Sequence, residues 1–93
     1  MTAKHVSGKK KGKLMLYALS TCVWCQKTKN LLNNLGVDYS FTDVDLLSGS
    51  EKNDAREQIK KFNPDCTFPT LVINDQKCIV GYQEGKIREA LKQ

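Results

Sequence analysis

The sequence contains two cysteines, Cys22 and Cys25, that are separated by only two residues. Two thiols at this spacing can form a disulfide and exchange electrons with another thiol or disulfide. They can also provide half of a tetrahedral zinc site, which requires two further ligands. Cys66 and Cys78 are available, but eleven residues separate them and they make no second close pair. The spacing therefore favours redox chemistry, with structural zinc as the lesser alternative.

An apolar run at positions 14–19 precedes the cysteine pair, and such a run is typical of a strand buried on both faces. A pattern of helical period follows the pair and ends at Gly36, a natural C-terminal cap. The buried face of this helix is formed by Thr28, Leu31, Leu32 and Leu35. The first helix is therefore predicted over 22–35, with the cysteine pair at its N-terminus.

A thiol at a helix N-terminus faces free backbone N–H groups and the positive end of the helix dipole. Both favour the thiolate, which is the nucleophilic form of cysteine. Because Cys22 is nearer the exposed end, we predict that it is the nucleophile. Cys25 lies about one helical turn inside and is predicted to be the buried resolving thiol, which attacks a mixed disulfide at Cys22. Trp24 is expected to lean over the pair and shape access to it.

The rest of the sequence alternates between strand and helix patterns. Apolar and polar residues alternate over 37–45, which predicts a second strand. Ser48 and Glu51 have the spacing of a capping box that opens a second helix, and Pro64 cannot continue it. Two β-branched segments then flank an Asn-Asp turn pair, and a last short helix begins near Glu84. The order β-α-β-α-β-β-α predicts an α/β domain with a central four-stranded mixed sheet and helices on both faces.

Charge is distributed unevenly along the 93 residues, whose net charge is +5 at pH 7. The five excess positive charges, before the first apolar run, belong to Lys4, Lys9, Lys10, Lys11 and Lys13. We expect residues 1–12 to be a disordered, solvated basic tail and residues 13–93 to form a single domain. A basic tail could touch nucleic acid or anionic lipid, and a nucleic-acid adaptor that rests on these lysines is the weakest functional alternative. Because no aromatic residue is interleaved with them, the solvated tail is favoured, and neither a nucleic-acid partner nor a membrane surface is expected.

The apolar fraction of the chain, 40%, is that of a folded protein rather than a disordered one. No apolar run approaches the roughly 20 residues that a membrane helix requires, and the N-terminus lacks the apolar stretch of a secretory signal. A cytoplasmic protein is therefore expected. In that reducing compartment, a close cysteine pair indicates redox or metal chemistry rather than a structural disulfide.

Pro69 directly precedes the third predicted strand, where a proline does not interrupt a hydrogen-bonded ladder. The chain carries, in this order, the C-x-x-C pair, the Thr67-Phe68-Pro69 segment and Gly81 before the last helix. With these motifs, residues 13–93 resemble the glutaredoxin family, which has the thioredoxin fold. The resemblance implies a thioredoxin-like architecture and a thiol–disulfide oxidoreductase whose redox-active group is the disulfide of the C-x-x-C pair.

The resemblance also implies where substrates bind. The proline at Pro69 is expected to be cis and to face the cysteine pair, and the backbone of Phe68 is expected to pair with a bound peptide or with glutathione. The implied substrate-binding residues are Trp24, Thr67, Phe68, Pro69, Gly81 and Tyr82. Expected partners are disulfide-containing proteins and an electron donor, either a thioredoxin reductase-like enzyme or glutathione. A monomer with no metal and no tightly bound cofactor is expected.

The sequence departs from the family pattern around the cysteine pair and before the last helix. Val23 and Trp24 stand between the cysteines, where the family usually has proline and tyrosine. Leu19 stands where many glutathione-using members have a lysine that binds a glutathione carboxylate. The stretch 80–84 keeps Gly81 but lacks the paired aspartates that grip the γ-glutamyl group. Glutathione is therefore predicted to be a poor reductant, and the stretch is closer to that of redoxins that serve ribonucleotide reductase and are recharged by thioredoxin reductase.

A competing hypothesis is that the chain carries an iron–sulfur cluster, as some glutaredoxins do between two subunits through the first cysteine and glutathione. The missing proline after Cys22 removes an obstacle to that function, whereas the missing glutathione-binding residues argue against it. Cys66 lies three residues before Pro69, so it either comes close to the site or is a partly buried spectator. Cys78 lies in a strand pattern and is expected to pack in the core.

Overall fold

The computed structural model describes residues 3–91, which form a mixed five-stranded sheet flanked by helices. The strands are β1 (Lys4–Val6), β2 (Leu14–Ala18), β3 (Tyr39–Asp43), β4 (Thr70–Ile73) and β5 (Lys77–Val80). The helices are α1 (Val23–Leu35), α2 (Gly49–Lys60) and α3 (Glu84–Ala90), and a 3₁₀ turn covers Val44–Leu46. The sheet order is β1-β3-β2-β4-β5, in which β2 and β3 are parallel and the other neighbours antiparallel. The predicted thioredoxin-like α/β fold is confirmed.

The central strand β2 is buried on both faces, as its continuous apolar run predicts. Leu16 and Ala18 pack with α1 and α3 in one core cluster, whereas Tyr17 packs with α2 in a second cluster. Successive residues of a strand point to opposite faces, so the two clusters lie on opposite sides of the sheet. The end of β2, from which the cysteine pair follows, is therefore held from both sides. The helices among residues 3–91 are too short or too polar to span a lipid bilayer.

Local sequence signals account for most element boundaries. Gly36 ends α1 with a left-handed conformation at φ 68°, and its N–H bonds back to the helix. The hairpin between β4 and β5 turns through Asn74 and Asp75, which both have positive φ. Ser48 is the N-cap residue of α2, but its side chain makes no capping hydrogen bond, so the predicted capping box does not form. The second strand is also shorter than the predicted 37–45, because the chain enters a 3₁₀ turn directly after β3.

The N-terminal segment differs from the predicted disordered tail. Residues 4–6 form β1, an additional edge strand antiparallel to β3, so the sheet has five strands rather than four. Asp38 accepts hydrogen bonds from the ring of His5 at 2.9 Å and from the N–H of Gly8 at 3.3 Å. Lys9 bonds through its backbone to Gly36 and Asp38, at 2.8 Å each. Without β1, the outer edge of β3 would expose unpaired backbone N–H and C=O groups. Pairing with these groups uses the backbone of β1 rather than its side chains, so a polar, lysine-rich segment can form this strand. Met1 and Thr2 lie outside the described residues.

Removing residues 1–8 should therefore destabilise the domain. The deletion would abolish the β1–β3 ladder and the hydrogen bonds from His5 and Gly8 to the Asp38 carboxylate, and we expect the free energy of unfolding to fall by about 1–3 kcal/mol. Each kcal/mol corresponds to roughly 4–8 °C in Tm for a domain of this size, so thermal unfolding followed by circular dichroism would detect the loss. The control is Lys4→Ala, which keeps the backbone pairing of an exposed residue and should leave Tm unchanged. An unchanged Tm in the truncated protein would show that the segment behaves as a solvated tail.

Candidate active site

Cys22 is the N-cap residue of α1, with an extended backbone at φ −88° and ψ 120°. Its sulfur accepts a hydrogen bond from the N–H of Cys25, with a nitrogen–sulfur distance of 3.2 Å. Its own N–H donates to the carbonyl of Leu19 at 3.2 Å, which turns the chain sharply from β2 into the helix. The side chain is half-buried against the core cluster beneath α1. The Cys22 sulfur thus takes up one of the free N–H groups of the first helical turn, where negative charge is favoured.

Cys25 has a very different environment, because its side chain is completely buried in the same cluster. The pKa of the Cys25 thiol is raised to about 12, mainly by burial and also by the hydrogen bond with Cys22. The N–H of Leu19, which donates to the Cys25 sulfur at 3.5 Å, and the ammonium of Lys29 both act in the opposite direction. The two sulfurs are therefore adjacent but unequal: one is accessible at the helix end, and the other is buried and protonated at neutral pH.

The loop before the pair is held by Asp45, a residue that the sequence reasoning did not single out. Its carboxylate accepts a hydrogen bond from the N–H of Ser20 at 2.8 Å and a second from the Ser20 hydroxyl. These two bonds hold the pKa of Asp45 below its usual value. Ser20 follows β2 and Asp45 follows β3, and the carboxyl ends of these parallel strands lie at the same edge of the sheet. The predicted parallel pairing was therefore the signal in the sequence that could have identified this contact.

A shallow pocket of about 250 Å³ lies beside the pair, between α1 and the loops before β4 and after β5. Its lining contains five of the six predicted substrate-binding residues, namely Trp24, Phe68, Pro69, Gly81 and Tyr82. Thr67, the sixth, precedes the lining residue Phe68 in the sequence; its side chain is exposed and does not line the pocket. The Phe68–Pro69 peptide bond is cis, as the resemblance implies. The N–H of Gly81 donates to the carbonyl of Pro69 at 2.8 Å, which ties the two loops together.

Aromatic contacts close one side of this pocket. The rings of Trp24 and Tyr82 stack with centroids 6.0 Å apart and an interplanar angle of 26°. Trp24 is 55% exposed, and the ammonium of Lys27 lies 4.7 Å from its ring centroid. The ring of Trp24 therefore contacts a residue more than fifty positions away in the sequence, which adds to the predicted role of shaping access to the cysteines.

Asn63 fixes the loop that carries Pro69, and nothing in the sequence analysis singled it out. The side chain is buried, and its amide donates to the Thr67 carbonyl at 3.2 Å and to the Thr70 hydroxyl at 3.1 Å. The Thr70 hydroxyl in turn donates to the Thr67 carbonyl at 2.7 Å. A buried polar network of this kind is costly to leave incomplete, so it defines the loop conformation. An Asn-Pro dipeptide ahead of the Thr67-Phe68-Pro69 segment was the weak signal for it.

The other two cysteines lie on the opposite face of the sheet. Cys66 and Cys78 both pack against the core cluster beneath α2, whereas Cys25 packs beneath α1. The thiol of Cys78 donates to the Phe62 carbonyl at 3.0 Å. All four cysteines are free thiols. Within residues 3–91, no group of three or more His, Cys, Asp or Glu side chains is arranged to hold a metal ion.

Comparison with known proteins identifies relatives that match most of this chain. The sequence model of the glutaredoxin family matches residues 14–79. The crystal structure of methanoredoxin from Methanosarcina acetivorans is 56% identical, superimposes with a TM-score of 0.93, and the match covers 97% of this chain and 95% of that one. The glutaredoxin from Methanosarcina mazei Go1 is 53% identical with a TM-score of 0.92, over 98% of this chain and 88% of that one. The probable monothiol glutaredoxin 2 of Rickettsia typhi is 33% identical, over 89% of this chain and 80% of its own length.

The unequal sulfurs predict selective alkylation of the reduced, folded protein. A pKa of about 12 leaves roughly one Cys25 in ten thousand ionised at pH 8, and the thiolate is the reactive form. Iodoacetamide at pH 8 should therefore modify Cys22 and spare Cys25, and modification of Cys25 should increase as the pH rises toward 12. Peptide mapping by mass spectrometry measures both. In denaturant the two cysteines should react alike, and equal modification in the folded protein would contradict the assignment.

Proposed function

Because this chain belongs to the glutaredoxin family, we propose that it reduces disulfides by dithiol exchange, with Cys22 as the nucleophile and Cys25 as the resolving thiol. Membership supports thiol–disulfide oxidoreductase activity in general. The observation that carries the finer assignment is the difference between the sulfurs: Cys22 is accessible and bonded to a helix N–H, whereas Cys25 is buried with a pKa of about 12. A half-accessible sulfur can meet a substrate, and a buried neighbour can attack only the mixed disulfide that forms at the first sulfur.

The reaction proceeds in two exchanges. In the first, the Cys22 thiolate attacks one sulfur of the substrate disulfide, the substrate S–S bond breaks, and the released sulfur takes up a proton. Cys22 is then joined to the other substrate sulfur in a mixed disulfide. In the second, Cys25 loses its proton and attacks the Cys22 sulfur, so the mixed disulfide breaks and the second substrate thiol leaves. Two electrons have passed to the substrate, and the Cys22–Cys25 pair is oxidised to a disulfide.

The pocket supports recognition of an extended segment around the substrate disulfide. Phe68 lies outside β4, so the sheet ladder does not use its backbone, and it remains next to the site for pairing with a peptide. The exposed side chains of Val23 and Trp24, 66% and 55% exposed, present an apolar surface beside Cys22. Disulfide-containing proteins are therefore the proposed substrates.

The dithiol route is favoured over a monothiol one for this chain. The Rickettsia relative is named a monothiol glutaredoxin, whereas here a second thiol lies one turn along α1 from the first. The backbone N–H of that second residue already bonds to the Cys22 sulfur, so the Cys22 side chain contacts Cys25 before any reaction.

The surroundings of the site support weak recognition of glutathione as the reductant. Leu19 packs against the apolar cluster beneath α2 and offers no charge to a glutathione carboxylate. The carboxylate of Glu84 already bonds to Arg88 at 2.8 Å and to the Tyr82 hydroxyl at 3.3 Å. A glutathione ammonium would have to compete with these partners. We propose that a flavoenzyme reductase or another small thiol recharges the protein more efficiently.

Replacement of each cysteine should separate the two exchanges. Cys22→Ser should abolish disulfide reduction, because no accessible nucleophile remains at the helix end. Cys25→Ser should still attack the substrate but accumulate mixed disulfides, since the resolving thiol is missing. Non-reducing electrophoresis followed by mass spectrometry identifies the trapped species, and Cys66→Ser serves as the matched control that should retain activity. Trapping in Cys22→Ser instead of Cys25→Ser would reverse the roles.

Leu19→Lys should improve turnover with glutathione. The lysine could supply a charge-assisted hydrogen bond to a glutathione carboxylate, typically about 1.5–3 kcal/mol, which corresponds to roughly ten- to a hundredfold in affinity. We expect the gain in kcat/KM for glutathione, with the rate for a dithiol reductant unchanged. Leu19→Met keeps the apolar contact and is the control. The proposal fails if the unchanged protein already turns over efficiently with glutathione and the lysine adds nothing.

A further inference from the structure

A partly buried ion pair connects the active-site helix to the neighbouring strand. The ammonium of Lys29 lies 2.8 Å from a carboxylate oxygen of Asp43, and each side chain is only 13% exposed. The same ammonium lies 4.4 Å from the ring centroid of Phe41. Phe41 and Asp43 are two residues apart on β3, so both face the same side of the sheet. The Lys29 side chain is therefore fixed across β3 by a charged partner and an aromatic ring.

This ion pair lies in the same part of the molecule as the buried thiol. Lys29 follows Cys25 by four residues in α1, a spacing that places two side chains on one helical face with Cβ atoms about 5–6 Å apart. From the sheet side, Asp43 is the register partner of Ala18 at the end of β2. The next residue, Leu19, donates its N–H to the Cys25 sulfur. Helix and sheet thus bring the ion pair and the thiol together at the end of β2.

We propose that Lys29, anchored by Asp43, is a positioning residue that holds a positive charge beside the Cys25 sulfur and so accelerates its attack on the mixed disulfide. Asp43 keeps the ammonium from extending into solvent, where water would screen its effect. The inference rests on the proposed dithiol reaction, because it concerns the second exchange of that reaction. It adds a residue outside the C-x-x-C motif to the machinery of the site.

Electrostatics support the placement. Burial and the hydrogen bond with Cys22 raise the pKa of Cys25, whereas the Lys29 ammonium lowers it. The other elements packed around this thiol present mainly apolar side chains. From β2, β4 and α3 these include Leu16, Ala18, Leu71 and Ile87. From β3, Tyr39 also reaches the cluster, but its hydroxyl is bonded to Asn33 two turns farther along α1. Tyr82 also packs against this cluster, with its hydroxyl 3.3 Å from the Glu84 carboxylate. Among the described residues, Cys22 and Lys29 are the ionisable side chains that shift the pKa of the Cys25 thiol.

The expected size of the effect follows from the chemistry of exchange. In the second exchange the Cys25 thiol loses its proton to solvent, its thiolate forms a bond to the Cys22 sulfur, and the electron pair of the broken bond leaves on the substrate sulfur. Loss of the Lys29 charge would raise the pKa of Cys25. A pKa that is higher by one would lower the fraction of Cys25 present as thiolate tenfold. The more basic thiolate would be about threefold more nucleophilic, so the rate of the second exchange would fall by about threefold.

The two exchanges can be timed separately with a bis(nitrobenzoate) aryl disulfide, whose thiolate is coloured. Stopped-flow mixing of excess reduced full-length protein with this disulfide should release one coloured thiolate when Cys22 attacks and a second when Cys25 resolves. Lys29→Met should slow the second phase about threefold at pH 7 and shift its pH profile upward, with the first phase unchanged. Lys29→Arg should restore the second phase, because it keeps the charge and can still bond to Asp43.

Two further variants keep the result interpretable. Lys29→Met leaves the Asp43 carboxylate unpaired, so the double variant Lys29→Met/Asp43→Asn is measured alongside it and should show the same slow second phase. Lys60→Met removes an exposed ammonium from the last turn of α2 instead, and it should leave the second phase unchanged. The proposal is overturned if Lys29→Met, folded by circular dichroism, resolves at the unchanged rate, or if both phases slow equally. A missing second phase in the unchanged protein would instead refute the dithiol function itself.

Discussion

The N–H of Cys25 and the sulfur of Cys22 lie 3.2 Å apart, and the rest of the site depends on that one hydrogen bond. It forms only if the chain turns sharply after β2 and α1 starts directly after Cys22, its N-cap residue. The bond from the Cys22 N–H to the Leu19 carbonyl makes this turn, and the two bonds from Ser20 to Asp45 hold it. A helix that began one residue later would expose a different N–H and would separate the two sulfurs.

Burial of Cys25 is the second consequence of the same arrangement. Its side chain packs the first turn of α1 against the core cluster beneath that helix, where Leu16 and Leu32 are also fully buried. The low dielectric of this cluster disfavours a thiolate, so the Cys25 thiol stays protonated at neutral pH. Accessibility and reactivity thus differ between two cysteines that are only three positions apart in the sequence. The order of the two exchanges that we propose follows from this difference rather than from the chemistry of the isolated side chains.

The opposite wall of the site is built from chain segments that are distant in sequence. The loop carrying Pro69 is fixed from within by Asn63 and is joined to the next loop by the bond from Gly81. Tyr82 then reaches back to stack on Trp24, so the last loop contacts the first helix directly. Positive charge is placed in two distinct ways on α1: Lys27 lies over an exposed aromatic ring, whereas Lys29 is held by Asp43 close to the core. The first ammonium lies beside the pocket, and the second lowers the pKa of the Cys25 thiol.

The sequence by itself determined the cysteine pair at the start of α1, the order of strands and helices after residue 13, and the Thr67-Phe68-Pro69 segment. These features depend on local periodicity, capping and spacing, which are visible within a few consecutive residues. The added strand β1 was missed because its residues are polar and lysine-rich, and its pairing depends on the open edge of β3. The bonds of Asp45, Asn63 and the Lys29–Asp43 pair were decided only by the tertiary structure. Each joins residues whose mutual distance is set by how helices, loops and strands pack, and no local pattern encodes that distance.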